Sequence, residues 1–449
     1  VLALAQFLVV LDASIVNIAL PVLGAQLDMS TAALAWVITA YVLAFGGLLL
    51  LGGRLADRYG HRRVFLIGTG GFVAASALAG LSLSSEMLLG ARALQGASAA
   101  LLAPAALALL THLFPADRER TKALGVWGAV AGIGSAAGVL LGGVLTATLG
   151  WQWVFFVNVP VGALVLIAIP LLITRDGARS HGRLDATGAV TVTAALVALV
   201  GAFSAVEQLG FVHPLPMALL AAALVLGVTF VLIERRAAEP LVPLSVFRTR
   251  NLALGNIVMM LAGAAMVALF FALSVYMQAV LYYDALAAGL SQLPLAGVLV
   301  LVAGGAPSFI ARVGTRPVLI GSLLVLAGGL TWLAAAPFDA TFLTQLLGPT
   351  ILVGAGLGGA VVATTQLAVD GVGGGESGLA GGLINTSQQI GGAVGLAVLG
   401  TVAGLRTAAL SAEGASATIA LTGGFSWLFL GAAALAVIGA GIVAVWPRD

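Results

Sequence analysis

Fourteen runs of mostly apolar residues follow one another through this 449-residue chain. Each is about the 20 residues that a helix needs to cross a bilayer's hydrocarbon core. The runs cover 1–23, 32–53, 62–84, 86–114, 121–148, 152–174, 185–206, 214–235, 250–281, 286–311, 315–336, 341–368, 376–403 and 421–446. Several are longer than 25 residues, which implies tilt or extension beyond the lipid. Only 8% of the residues are charged, against roughly 25% in a soluble domain. That is too little polar surface to face water, so the chain is read as an all-α polytopic membrane protein. The first run, from Val1 to Leu23, is read as a spanning helix rather than a signal peptide, its native leader missing. A net charge of +2 gives no basis for nucleic-acid binding, and the lack of cysteine excludes disulfides and thiolate metal sites.

The basic residues orient the runs, because Lys and Arg stay on the cytoplasmic side. Arg54, Arg58, Arg62 and Arg63 follow run two, and Arg118, Arg120 and Lys122 follow run four. Arg175, Arg179 and Arg183 follow run six; Arg235, Arg236, Arg248 and Arg250 lie between runs eight and nine. Arg312 and Arg316 follow run ten, and Arg448 lies in the tail. All of these fall in alternate connections, which places both termini in the cytoplasm. Only Arg92, within run four, and Arg406 stand apart.

The chain also repeats itself. Arg58, Gly60 and Arg62 in "GGRLADRYGHRR" (52–63) match Arg312, Gly314 and Arg316 in "FIARVGTRP" (309–317) at a constant offset. Two copies of a six-helix unit are expected, residues 1–174 and 250–449, with a two-helix insert and cytoplasmic linkers over 175–249.

Four stretches carry a resemblance: "LDASIVNIALP" in run one, "GGRLADRYGHRR" after run two, "RALQGASAALLAP" in run four, and the Gly-rich run five leading into "GWQWVFFVNVPVG". Run thirteen, "GLAGGLINTSQQIGGAVGLAVLG", adds to them. The chain resembles the fourteen-helix drug:proton antiporter branch of the major facilitator superfamily over essentially its whole length. It departs at Val139, where that branch has proline, and at Gln152, where it has arginine. The resemblance implies the major facilitator fold and a proton-coupled multidrug efflux antiporter in the plasma (inner) membrane of a bacterium. It implies a monomer and no cofactor beyond the proton as coupling ion.

Asp12 and Arg92 are the residues that most demand explanation. A charge inside the membrane costs about 2.5 kcal/mol or more unless paired or hydrated. Gln6, Val10, Ala13 and Asn17 form a mostly small or polar stripe on run one, suited to other helices or a watery cavity. Asp12 lies one position from it, about 100° away. Burial opposes the aspartate's charge while a cation such as Arg92 favours it, so a change of hydration can move a proton on or off. This is the proton-coupling reading. Its rival is a structural carboxylate permanently paired with Arg92 or held by hydroxyls. The rival for Arg92 is snorkelling to the outer headgroups.

For substrate, the polar candidates are Asn17, Gln95, Gln278, Asn385 and Gln389. Tyr41, Trp127, Phe155 and Tyr276 could offer aromatic faces to an organic or cationic compound. For gating, Gly53 is expected to allow close backbone approach and Gly60 to supply a tight turn. Asp57 is expected to accept from amides at a helix N-terminus. With Arg58 and Arg62, the resemblance makes this segment a latch of one access state; the rival is an ordinary positively charged anchor. Gly134, Gly138 and Gly142 recur every fourth residue and let another helix come close. They suit plain packing as well as a rocking surface. Asp28, Glu86, Glu207, Asp284, Asp339 and Glu413 fall near outer ends and read as solvated. His61, His112, His181 and His213 have no metal-binding spacing, and no Walker loop points to ATP.

The resulting expectation is export of hydrophobic, cationic or amphiphilic small molecules against protons. The alternatives are an exporter dedicated to one antibiotic or metabolite, as in self-resistance, and a proton symporter. A receptor or an intramembrane enzyme has no catalytic constellation to support it.

Overall fold

Each apolar run folds into a helix, because a backbone in lipid can satisfy its N–H and C=O groups only within itself. The computed structural model describes residues 1–114, 117–173, 185–237, 240–242, 249–370 and 377–446. Among these residues there is no strand. The helices are α1 (Leu2–Gln26), α2 (Thr31–Tyr59), α3 (His61–Gly80), α4 (Ser85–Leu113) and α5 (Asp117–Thr148). After them come α6 (Trp153–Leu172), α7 (Ala186–Leu209), α8 (Pro214–Arg236) and α9 (Arg250–Val280). The last five are α10 (Ala285–Val313), α11 (Thr315–Ala334), α12 (Phe342–Val369), α13 (Ser377–Ala412) and α14 (Ala417–Val445).

A helix stands at each of the fourteen expected runs, with ends shifted by up to nine residues. Of the basic residues that orient them, Arg175, Arg179, Arg183, Arg248 and Arg448 lie outside the described residues. So do residues 371–376 and the side chains of Arg118, Arg120, Lys122 and Asp370.

The largest departure is at "GGRLADRYGHRR", expected as a connection. Here α2 continues to Tyr59, and only Gly60 separates it from α3. A single residue can reverse the chain because Gly60 has φ 95°, in the region open to glycine. Gly314 does the same between α10 and α11, with φ 94°. The offset seen in the sequence is therefore a structural one. α2 and α10 have the same length and are opened by Ser30 and Asp284, whose side chains accept from Ala33 N and Ala287 N. Asp28 and Tyr282, the described non-glycine residues with positive φ, are separated by the same interval.

Two compact units result: Val1–Ala194 with Gly227–Val242, and Ala195–Leu226 with Pro243–Asp449. The division passes through both inserted helices. Within the first unit α2 packs along α4, α3 against α4 and α6, and α1 along α5. Within the second, the same order recurs as α10 with α12, α11 with α12 and α14, and α9 with α13. Small residues set these contacts, since lipid offers no hydrophobic drive for helices to associate. A Cβ on Gly52 would fall 1.9 Å from the Ala100 carbonyl, and one on Gly96 2.2 Å from that of Tyr41. In the second unit a Cβ on Gly391 would lie 2.0 Å from the Met260 carbonyl.

α8 has only 6% of its central window buried, against 67% for α1. Its Leu224, Val225, Val228 and Leu232 are exposed, the pattern of a helix that faces lipid.

Candidate functional site

In the first unit the costly residues come together. Asp12 of α1 and Arg92 of α4 meet at 2.6 Å, Oδ2 to Nη1. Neither exposes more than 1% of its surface, so Arg92 does not snorkel. Asp12 Oδ1 accepts from Gln95 Nε2 at 2.7 Å and from Asn158 Nδ2 of α6 at 2.9 Å. Arg92 also donates to Gln95 Oε1 at 2.6 Å and, through Nε, to the Val37 carbonyl at 3.1 Å. Gln95 reaches Ser76 Oγ on α3 at 2.7 Å. The guanidinium lies 4.3 Å from the centre of the Tyr41 ring and 5.8 Å from that of Phe155. Five helices thus contribute side chains to one dry ionic cluster.

The local sequence explains the arrangement. Arg92 and Gln95 share one face of α4 at i and i+3. Gly96, on the next turn of that face, lets α2 approach closely enough for Val37 to offer its carbonyl. Five donors on the guanidinium demand acceptors once water is gone, and the cluster supplies three, with the Tyr41 ring beside the cation. A proton added to Asp12 Oδ2 would remove one partner from Arg92. Gln95 Oε1, the Val37 carbonyl and the Tyr41 ring would remain. Arg92 would thus keep three partners without Asp12 Oδ2. The Tyr41 hydroxyl and Asn158 Oδ1 are buried beside the cluster with no hydrogen-bond partner, which leaves it two open valences.

Tyr41, Gln95 and Phe155, expected at the substrate, are thus bound up with Asp12 and Arg92. Asn17 is buried on α1 and donates to the Ala13 carbonyl at 2.8 Å. Trp127 is half-buried on α5. In the second unit the hydroxyl of Tyr276 donates to the Pro337 carbonyl at 2.5 Å, with its ring edge-on to Phe425. Gln278 lies in a widened turn, Tyr276–Val280, and bonds Ser274. Asn385 is exposed on α13 and Gln389 half-buried one turn later. Asn158 and Ser76 were not expected. Asn158 had a signal, as a polar side chain within an apolar run; Ser76 had none that sets it apart from other serines.

The gating residues need two corrections. Gly53 is not the point of close approach, since a Cβ there would lie 3.8 Å from Pro104, an ordinary contact. Gly52 is, one residue and about 100° around the helix. Asp57 pairs with the His61 ring at 3.1 Å across the Gly60 turn, rather than with backbone amides. Arg58 lies over the ring of Tyr59. Arg62 donates to the Pro170 carbonyl near the end of α6 at 3.2 Å. Arg316, its counterpart, reaches the Trp446 carbonyl just past α14 at 2.9 Å. Each arginine answers carbonyls that a helix C-terminus leaves open. Gly134, Gly138 and Gly142 all face α1: a Cβ on each would meet atoms of Phe7, Ser14 or Ile15 within 3.3 Å. The stripe thus packs α5 against α1 inside one unit.

A buried ion pair on repeated six-helix units is a transporter's architecture rather than an enzyme's, and comparison with known proteins agrees. The family model described as Major Facilitator Superfamily matches residues 2–396. This chain belongs to the major facilitator superfamily. The puromycin resistance protein of Streptomyces alboniger is 43% identical over 92% of this chain and 82% of its own length. The cephamycin export protein of Amycolatopsis lactamdurans is also 43% identical, over 92% and 86%. The tetracenomycin C resistance and export protein of Streptomyces glaucescens is 35% identical, over 89% and 74%. Among solved structures, the POT family transporter PepTSo covers 99% of this chain and 96% of its own at a TM-score of 0.73 and 15% identity. At that identity the likeness speaks for the fold. As a superfamily member, the chain is an integral membrane transporter of small molecules.

Proposed function

We propose that this transporter exports hydrophobic, cationic or amphiphilic drug-like compounds in exchange for protons, by alternating access. The setting is the plasma (inner) membrane of a bacterium, with both termini cytoplasmic. The observation that supports proton coupling best is the buried Asp12 carboxylate, which meets one cation and two amide donors inside the membrane span. In one access state Asp12 is ionised and held by Arg92 while cargo binds. When the units move, a proton from outside neutralises Asp12, and the site resets as the proton leaves inward. Inward proton movement is favoured by about 2.3 kcal/mol per charge per 100 mV. Exchange for a neutral compound uses that potential, whereas exchange for a monovalent cation is electroneutral.

The similar proteins named for resistance to, or export of, single antibiotics support a second reading, an exporter dedicated to one compound. It shares the coupling site and differs only in the cargo pocket. Counterflow of a labelled dye in proteoliposomes, with and without an imposed pH gradient, tests both coupling and export. Gradient-driven accumulation by the wild type, lost in Asp12→Asn while counterflow persists, is the expected result. Accumulation unchanged in Asp12→Asn would remove Asp12 from the coupling step.

A further inference from the structure

The repeat allows each buried polar residue of the first unit to be compared with its counterpart in the second. At the 254-residue offset Asp12 and Ser76 correspond to Met266 and Leu330; on α12, where Gly354 meets the Leu295 carbonyl as Gly96 meets that of Tyr41, Arg92 and Gln95 correspond to Thr350 and Val353. The second unit has therefore lost the ionic cluster. At the same level it has gained something instead. The residue after Val37, whose carbonyl receives Arg92, is Ile38, and its counterpart on α10 is Gln292. Gln292 is 1% exposed, and neither its Oε1 nor its Nε2 has a hydrogen-bond partner. Its neighbours on the same helical face are Ala288, Leu295 and Ala296, all buried and apolar.

A buried amide with one acceptor and two donors unused opposes folding, because removing it from water is costly and no partner offsets that cost. Leucine or methionine there would pack at least as well. We propose that Gln292 is the residue through which the second unit reads cargo. Its amide would donate one hydrogen bond to, and accept another from, a neutral carbonyl, amide or hydroxyl group on an otherwise apolar compound. A neutral group fits because none of these neighbours carries a charge. This rests on the export reading above and names the chemistry that the cargo must present. The near-complete shielding of Gln292 means that cargo reaches it only when the surrounding helices part, as alternating access provides.

The test uses the full-length transporter in proteoliposomes with two probes. Puromycin carries amide and hydroxyl groups; tetraphenylphosphonium is an apolar cation with neither. Gln292→Met should raise KM for puromycin about tenfold, the worth of one good hydrogen bond. Tetraphenylphosphonium transport should be unchanged, and the melting temperature of the purified protein should rise. Gln292→Asn, which keeps the amide on a shorter arm, should fall between. An unchanged KM for puromycin in Gln292→Met would overturn the proposal. So would a lowered melting temperature, since the amide would then be satisfied inside the protein by its own atoms or a resident water. Wild-type transport of tetraphenylphosphonium alone would overturn this inference and leave export standing. Wild-type transport of neither probe would remove the broad-export reading on which this inference rests, and the inference with it, leaving an exporter dedicated to another compound.

Discussion

Arg92 and Asp12 form a salt bridge of 2.6 Å with no more than 1% of either residue exposed. The two residues are not equally replaceable. Removing one member of a buried ion pair typically costs about 3–5 kcal/mol, because the other charge is left without compensation. Arg92→Met strands a carboxylate that can still escape by taking up a proton. Asp12→Leu strands a guanidinium that cannot. Asp12→Leu should therefore lower the melting temperature in detergent more than Arg92→Met. The double variant should recover much of the loss. A double-mutant cycle read by thermal unfolding checks this; additive losses would mean the pair is hydrated rather than dry.

The glycines of α2 give a sharper contrast. Gly52→Ala would force a methyl to 1.9 Å from the Ala100 carbonyl, a backbone atom that cannot move without shifting α4. Overpacking of this kind costs about 1–3 kcal/mol. Gly53→Ala meets only Pro104 at 3.8 Å and should be neutral or stabilising, by up to about 1 kcal/mol. Melting temperatures of the two variants, side by side, decide the matter.

These two sites also show how much of the protein was legible in its sequence. The spans could be counted because lipid permits so few backbone arrangements, and Gly60 announced its turn because only glycine adopts φ 95° without strain. Asp12 and Arg92 stood out because charge within a span is expensive. Gly53 was chosen over Gly52 because one residue turns a helix face by about 100°, and the rotation of α2 against α4 is a tertiary fact. Asn158 lay inside a quoted motif but reaches Asp12 across 146 positions, and no local pattern encodes such a distance. Asp57 was assigned to backbone amides because the sequence does not show that the following helix begins so soon, with His61 in reach.

The two helix-end arginines hold different helix ends. Arg316 donates to the Trp446 carbonyl at 2.9 Å and to Asn251 Oδ1 at 3.2 Å, and Arg62 donates to the Pro170 carbonyl at 3.2 Å. Hydrogen bonds from a charged donor are worth about 1.5–3 kcal/mol where water is excluded, and less near a surface. Arg316→Ala and Arg62→Ala should each destabilise by about 1–2 kcal/mol. Proteolysis of the last turn of α14, followed by mass spectrometry, should accelerate in Arg316→Ala and not in Arg62→Ala.

The one-residue reversals offer the most direct test of the repeat. Gly60 and Gly314 have φ 95° and 94° with ψ 131° and 156°, a conformation that a residue with a Cβ adopts only under strain. Such strain costs about 1–3 kcal/mol at each position. Gly314 has no crowded Cβ direction to add to the penalty, with only Pro317 at 3.8 Å. Gly60→Ala and Gly314→Ala should therefore each lower stability through backbone strain, and by similar amounts where that strain acts alone. Each turn lies in a different unit, and the double variant should lose the sum of the two. Unequal losses would mean that the matching angles conceal different local supports.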